Sequence, residues 1–130
     1  MKIDNNMIKI LIVDDDANTT WLMDSVFSKA GYEIHSVNNS SLAVPKAEAI
    51  QPDLIILDLV MPGIDGIDTC KGLKANQETN KIPVLFFSAV GDVNSKLKAF
   101  DAGAKDFITK PVHIDELKSK IRIWTNNNHG

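Results

Sequence analysis

Residues 54–66 read LIILDLVMPGIDG. Leu54, Ile55, Ile56 and Leu57 form an apolar run behind Pro52 and Asp53. A short unbroken run of this kind predicts a strand buried on both faces, as parallel strands are when helices cover both sides of a sheet. Asp58 follows directly, where the strand runs out. Met61-Pro62-Gly63 then breaks the chain, and a helical pattern begins near Ile64. A carboxylate at the carboxyl end of a buried parallel strand sits at the rim where open α/β sheets hold their ligands. Asp58 is therefore the first candidate for the chemistry of this chain.

The same alternation extends on both sides of that stretch. Upstream, IKILIV at residues 8–13 predicts a first buried strand, which runs into Asp14, Asp15 and Asp16. Asn18, Thr19 or Thr20 can cap the next helix. Leu22, Val26 and Ala30, flanked by Trp21 and Phe27, give that helix its expected apolar face, and Gly31 ends it. Residues 32–37 predict a second strand, and a helix over roughly 42–50 tolerates Pro45 only in its first turn. Downstream, a helix is expected from about Ile64 to Ala75, followed by a polar connection to Lys81. PVLFF at 83–87 predicts the fourth strand, ending in Ser88-Ala89. Val93, Leu97 and Phe100 recur at helical spacing up to Gly103. Residues 106–109 predict a short fifth strand, followed by Lys110-Pro111. The last helix carries Ile114, Leu117, Ile121 and Trp124 on one face.

Five strands alternating with five helices predict an α/β fold, a parallel sheet with helices on both faces. Right-handed crossovers leave few ways to wind it. The expected architecture is a flavodoxin-like (βα)5 three-layer sandwich with strand order 2-1-3-4-5. That order makes strands one and three neighbours, so the acids after strand one meet Asp58. Crowding Asp14, Asp15 and Asp58 is electrostatically unfavourable unless one is protonated or a cation neutralises them. Magnesium, with manganese as a possible substitute, suits a site of carboxylate, carbonyl and water oxygens. With no His or Cys at this rim, zinc is a poor fit. Asp15 and Asp58 are the expected direct ligands, with the backbone carbonyl of Val60 completing the protein set and Asp14 acting through water. Asp16 reads instead as a solvated or helix-capping residue.

Length and composition agree with this picture. The chain has 130 residues and a formal net charge of -3, the size of one domain with one core. Its 44% hydrophobic and 24% charged content is that of an ordinary globular protein. No apolar run approaches the ~20 residues that span a bilayer, and the first ten residues lack a secretory pattern, so no membrane contact is expected and the cytoplasm is the default location. Cys70 is the only cysteine, which excludes an internal disulfide and reads as a packed side chain. His35 and His113 read as ordinary surface or helix-start residues, and His129 lies in the tail. Mild acidity gives no electrostatic reason for direct nucleic-acid binding.

These residues resemble the receiver domain of two-component response regulators, of the chemotaxis-regulator-like kind. The matching pieces are VDDD at 13–16, LDLVMPGIDG at 57–66, SA at 88–89 and KP at 110–111. Each is weak alone, but four in order, each at a strand end, are specific. The resemblance covers the chain from Ile8 to about Trp124, so one domain is expected over residues 8–125, with 1–7 and 126–130 as flexible tails.

The resemblance implies that Asp58 is the phosphoacceptor for a phosphoryl group carried by a sensor histidine kinase or a histidine phosphotransfer protein. It implies catalysis of the chain's own phosphorylation and dephosphorylation only, so not an enzyme in the ordinary sense. Lys110 would meet one phosphoryl oxygen, and the Ser88 hydroxyl and the Ala89 amide another. The Lys110-Pro111 bond would be cis. Ser88 and Phe107 would form the switch, although Phe107 reads equally well as plain core. Val60 and Val90 stand where the family tunes hydrolysis. Neither can hydrogen-bond an attacking water, which implies a long-lived phosphoaspartate. The surface of helix four, strand five and helix five would contact a downstream effector, a C-terminal output domain or a second copy in a dimer. The helix-one face would meet the kinase. A single-domain regulator and a receiver from a longer protein fit the sequence equally.

Other classes fit less well. A flavodoxin-type electron carrier needs its first loop to hold phosphate, which three acids repel. A haloacid-dehalogenase-like phosphatase wants a second aspartate where Val60 stands. The P-loop pattern GxxxxGK[ST] is missing. A structural receiver-like module without phosphotransfer should have lost part of the acidic set or Lys110, and all are present.

Overall fold

The structure, a computed structural model, describes residues 7–61 and 64–126. The expectations for the two tails beyond these bounds, for His129 and for the break at Pro62-Gly63 lie outside the described residues. The strands are β1 (Lys9–Val13), β2 (Glu33–Val37), β3 (Leu54–Leu57), β4 (Val84–Ser88) and β5 (Asp106–Thr109). The helices are α1 (Ala17–Lys29), α2 (Ala43–Ile50), α3 (Gly66–Ala75), α4 (Val93–Asp101) and α5 (Ile114–Asn126), with a short 3-10 turn at Ser40–Leu42 before α2. The five strands form one parallel sheet in the order β2-β1-β3-β4-β5, as the alternation predicts.

Side chains alternate across the sheet and divide the core in two. Leu11, Val13, Ile55, Leu57 and Phe86 face α2, α3 and α4, meeting Ala43, Ala47, Cys70, Leu73 and Ala99. Ile10, Ile12, Leu54, Ile56, Leu85 and Phe87 face α1 and α5, meeting Met23, Phe27, Leu117 and Ile121. β3 is buried along its whole length, which is why it reads as an unbroken apolar run.

Three local expectations differ from the structure. α1 is capped by Asp16, one of the two roles expected for that residue: its Oδ1 accepts from the Asn18 amide at 2.9 Å, and Asn18, Thr19 and Thr20 are not the cap. A carboxylate two residues nearer the strand than Asn18 takes that place and completes the first turn. The inward face of α1 is Thr19, Met23 and Phe27, one step round from the Leu22–Val26–Ala30 row. Leu22 and Val26 are half-buried and Ala30 is exposed. α3 begins at Gly66 rather than near Ile64, because Asp65 caps it by accepting from the Asp68 amide at 2.8 Å.

Val93, Leu97 and Phe100 do share one side of α4, but that side faces solvent. Ala99 and Ala102 are the small residues turned to the sheet. Gly31 and Gly103 adopt the positive φ values 95° and 109° just past the ends of α1 and α4.

Candidate functional site at the carboxyl rim of the sheet

Pairing of β1 with both β2 and β3 carries the chain ends after β1 and β3 to one place. The ladder extends past both strands: the Asp14 amide donates to Val37 O at 3.1 Å and the Asp58 amide to Val13 O at 2.9 Å. Carboxylate oxygens of Asp14, Asp15 and Asp58 all lie within 4.8 Å of one another. Asp14 and Asp58 are buried, and Asp15 is exposed. An all-oxygen set of this kind, open to solvent on one side, can hold a hard divalent cation.

Asp14 already has partners for both oxygens. Oδ1 accepts from the Asp16 amide at 2.8 Å and Oδ2 from Lys110 Nζ at 3.0 Å. Burial pushes the Asp14 pKa above the ordinary carboxylate value, and Asp58 nearby adds to the rise. The Asp16 amide and the Lys110 ammonium pull the other way without cancelling it.

Lys110 follows β5 and is 96 residues from Asp14 in sequence. Its amide donates to Ser88 O at 2.8 Å, so the end of β5 is tied to the end of β4. Its Nζ donates to Asp14 Oδ2 and to Thr19 Oγ1, each at 3.0 Å, and lies 5.2 Å from the centre of the Phe87 ring, in cation–π range. The Lys110-Pro111 bond is cis. Ser88 is buried, and its Oγ accepts from the Val90 amide at 3.2 Å. Ala89 follows it, exposed, at the rim. The Val60 amide lies 3.4 Å from Asp58 Oδ1, a long contact, and the Val60 and Val90 side chains are exposed beside the site. Phe107 is buried, stacked on Phe86 with ring centroids 5.8 Å apart, in the core under α4.

Two residues at this site escape the sequence reading. Thr19 is the partner of Lys110, not a cap. The signal for it is a polar residue at the start of the buried i, i+4, i+8 row Thr19–Met23–Phe27. Gly66 is the second. A Cβ there would meet Asp58 O at 2.5 Å and Leu59 Cα at 2.7 Å, so α3 presses on the backbone of the acid itself. Cys70 is buried and its Sγ meets Ala102 O at 3.5 Å; burial raises its pKa, in keeping with a packed thiol. His35 pairs with Glu33 on β2 at 2.6 Å, and His113 is exposed just before α5.

Fold and rim together define a class: doubly wound domains with an acidic, lysine-paired site where the central strands end. Residues 10–122 match the family model of the response regulator receiver domain, and the chain belongs to that family. It is 37% identical over 116 residues to the DNA-binding dual master transcriptional regulator RpaA of Synechocystis, covering 89% of this chain and 48% of that protein. Its fold is similar to the signal receiver domain of a signal transduction histidine kinase from Syntrophus aciditrophicus (TM-score 0.83, 32% identity, 92% of this chain and 90% of that one). It is also similar to the chemotaxis protein CheY4 of Vibrio cholerae (TM-score 0.85, 25% identity, 90% and 98%). The chain spans about half, or less, of the length of the curated relatives it matches. Among the described residues, no helix is long and apolar enough to cross a membrane.

Proposed function

We propose that this receiver domain accepts a phosphoryl group on Asp58 from a phosphohistidine of a sensor kinase or a histidine phosphotransfer protein. The observation that carries this reading is the meeting of Asp14, Asp15 and Asp58 within 4.8 Å, with the Lys110 ammonium 3.0 Å from Asp14. An Asp58 carboxylate oxygen attacks phosphorus, and the bond from phosphorus to the donor imidazole nitrogen breaks. Asp15, Asp58 and the Val60 carbonyl would hold magnesium or manganese directly, and Asp14 through water. When bound, the ion supplies positive charge that offsets the acids and the phosphoryl oxygens. Lys110 pairs with one of those oxygens. The Ser88 hydroxyl and the Ala89 amide take another.

The domain does this chemistry only on its own side chain. The added charge, roughly two units, draws Ser88 toward Asp58 and frees space that Phe107 can enter. The signal then passes to the face of α4, β5 and α5. Exposure of Val93 at 74%, Leu97 at 62% and Phe100 at 45% supports that face as the contact for an effector, an output domain or a second copy. The kinase or phosphotransfer protein approaches over α1. Val60 and Val90 offer no hydrogen bond to an attacking water, so the phosphoaspartate is long-lived. Direct contact with nucleic acid is not part of this role, and the domain works in the cytoplasm.

Mass spectrometry after incubation with acetyl phosphate and magnesium tests the reading. Wild type should gain one phosphoryl group and Asp58→Asn none. An adduct that persists in Asp58→Asn sinks it.

A further inference from the structure

A hydroxyl stands where α1 meets Lys110. Thr19 is buried at the head of the inward row of α1, ahead of Met23 and Phe27. Its Oγ1 donates to Asp16 Oδ2 at 3.3 Å and accepts from Lys110 Nζ at 3.0 Å. A hydroxyl has one proton, so the two bonds fix its orientation: the proton goes to the carboxylate and a lone pair to the ammonium. Asp16 is held in turn, its Oδ1 by the Asn18 amide and its own amide by Asp14 Oδ1. Asp14 Oδ2 receives Lys110 and closes a ring of four residues. An ammonium has three N–H groups. Asp14 and Thr19 take two; among the described residues no oxygen or nitrogen accepts the third, and the centre of the Phe87 ring lies 5.2 Å from Nζ.

We propose that Thr19 is a positioning residue for phosphoryl transfer. Its hydroxyl, locked by Asp16, fixes the rotation of the Lys110 ammonium and holds the third N–H ready for a phosphoryl oxygen at Asp58. The inference rests on the phosphoacceptor reading of Asp58. With Asp14 as its only acceptor, the ammonium turns about a single bond and its free N–H samples many directions. Pairing with the phosphoryl oxygen then has to order a lysine side chain that Thr19 otherwise orders in advance.

Thr19→Val keeps the volume and removes the hydroxyl, while Thr19→Ser keeps the hydroxyl. Both are compared with wild type in the full chain by two measurements. The first is the rate of phosphoryl uptake from acetyl phosphate with magnesium, followed by intact mass. The second is the nitrogen-15 spectrum of the lysine ammonium groups without any phosphodonor. Thr19→Val should label about tenfold more slowly, the scale of one hydrogen bond to a charged group, and should lose the slowly exchanging Lys110 ammonium signal. Thr19→Ser should keep that signal and most of the rate.

If wild type labels and Thr19→Val matches it, the proposal is overturned. Equal slowing in Thr19→Val and Thr19→Ser also overturns it, because packing alone then explains the loss. If wild type takes no label, the phosphoacceptor reading fails and the proposal falls with it. Should Thr19→Val show no cooperative melting, Thr19→Ala against Thr19→Ser carries the same comparison.

Discussion

Gly66→Ala probes how tightly the start of α3 is pressed on the site. A Cβ at this position would lie 2.5 Å from Asp58 O, 2.7 Å from Leu59 Cα and 2.9 Å from Leu59 O. Non-bonded carbons rest at roughly 3.5–4.0 Å, so the backbone has to retreat by about 1 Å. All three opposing atoms are main chain, and the Gly66 amide is itself bonded to Leu59 O at 2.9 Å, so no flexible side chain can absorb the shift. Overpacking of this kind costs about 1–3 kcal/mol. Alanine's helix preference over glycine returns about 0.5–1 kcal/mol in a helix interior, and less at the first position. The expected net loss is ~1–2 kcal/mol, or about 3–8 °C in melting temperature for a domain of this size. Gly72→Ala is the control on the same helix, where the nearest atom to a new Cβ is Val44 Cγ2 at 3.7 Å. It should gain ~0.5–1 kcal/mol. Urea unfolding followed by circular dichroism measures both. Phosphoryl uptake by Gly66→Ala should also slow, because the displaced atoms include the Asp58 carbonyl. If Gly66→Ala proves as stable as wild type, or if both variants shift stability in the same direction, the close-approach argument is refuted.

Other outcomes follow from the same structure. Because the folded-state pKa of Asp14 is raised, chiefly by burial, the ionised carboxylate works against folding at neutral pH. Magnesium should therefore raise the melting temperature at neutral pH, and the gain should shrink in acid as the carboxylates take up protons; a larger gain in acid would contradict this. Asp106 is the opposite case: burial alone would raise its pKa, but bonds from Lys120, the Phe107 amide and Trp124 outweigh it and the net shift is down. Its contribution is therefore present above the ordinary carboxylate pKa and lost as pH falls through the depressed one. Asp106→Ala should cost ~1–2 kcal/mol at neutral pH, with the gap from wild type closing in strong acid. Cys70 should not react with a thiol reagent in the native domain and should react at once in urea; rapid native labelling would show that α3 opens locally.

The strand order and the acid at the end of β3 are legible in the sequence because each rests on a local pattern. A buried strand is an unbroken apolar run, and Asp58 is simply the residue after it. Helix faces are harder to read. Trp21, Leu22, Met23, Val26 and Phe27 together leave α1 two possible inward stripes, and only packing against Ile10 and Ile12 selects Met23 and Phe27. α4 is nine residues long, and its largest apolar side chains face out because Ala99 and Ala102 are small enough to sit close to the sheet. Pattern shows that such a stripe exists, not which way it turns. The Lys110–Asp14 pair is harder still, since nothing local in either segment specifies a partner across 96 positions. The sequence leaves the cap of α1 open between Asp16 and residues 18–20 for a related reason. Asp16 takes the cap, which releases Thr19 to face the lysine.

On the proposed reading, the charges at the rim explain why one ion would suffice and why phosphorylation would unsettle the site. Three carboxylates and one ammonium leave two negative charges when all are ionised. The protein neutralises the buried part itself, through Lys110 on Asp14; on the proposed reading the more open side, where Asp15 is exposed, is the place for an exchangeable divalent cation. That division suits a site that must load and release its ion from solvent. On the proposed reading, transfer to Asp58 replaces one carboxylate charge with a phosphoryl group of roughly two, so a balanced site becomes about one charge too negative. The groups able to answer are donors within reach: the third N–H of Lys110 and the hydroxyl of Ser88. Among the described residues, Ser88 Oγ is engaged only as an acceptor, from the Val90 amide at 3.2 Å. Its proton can therefore turn to the new oxygen at little cost, and Ser88→Ala should accept phosphate yet lose the change on the α4 face.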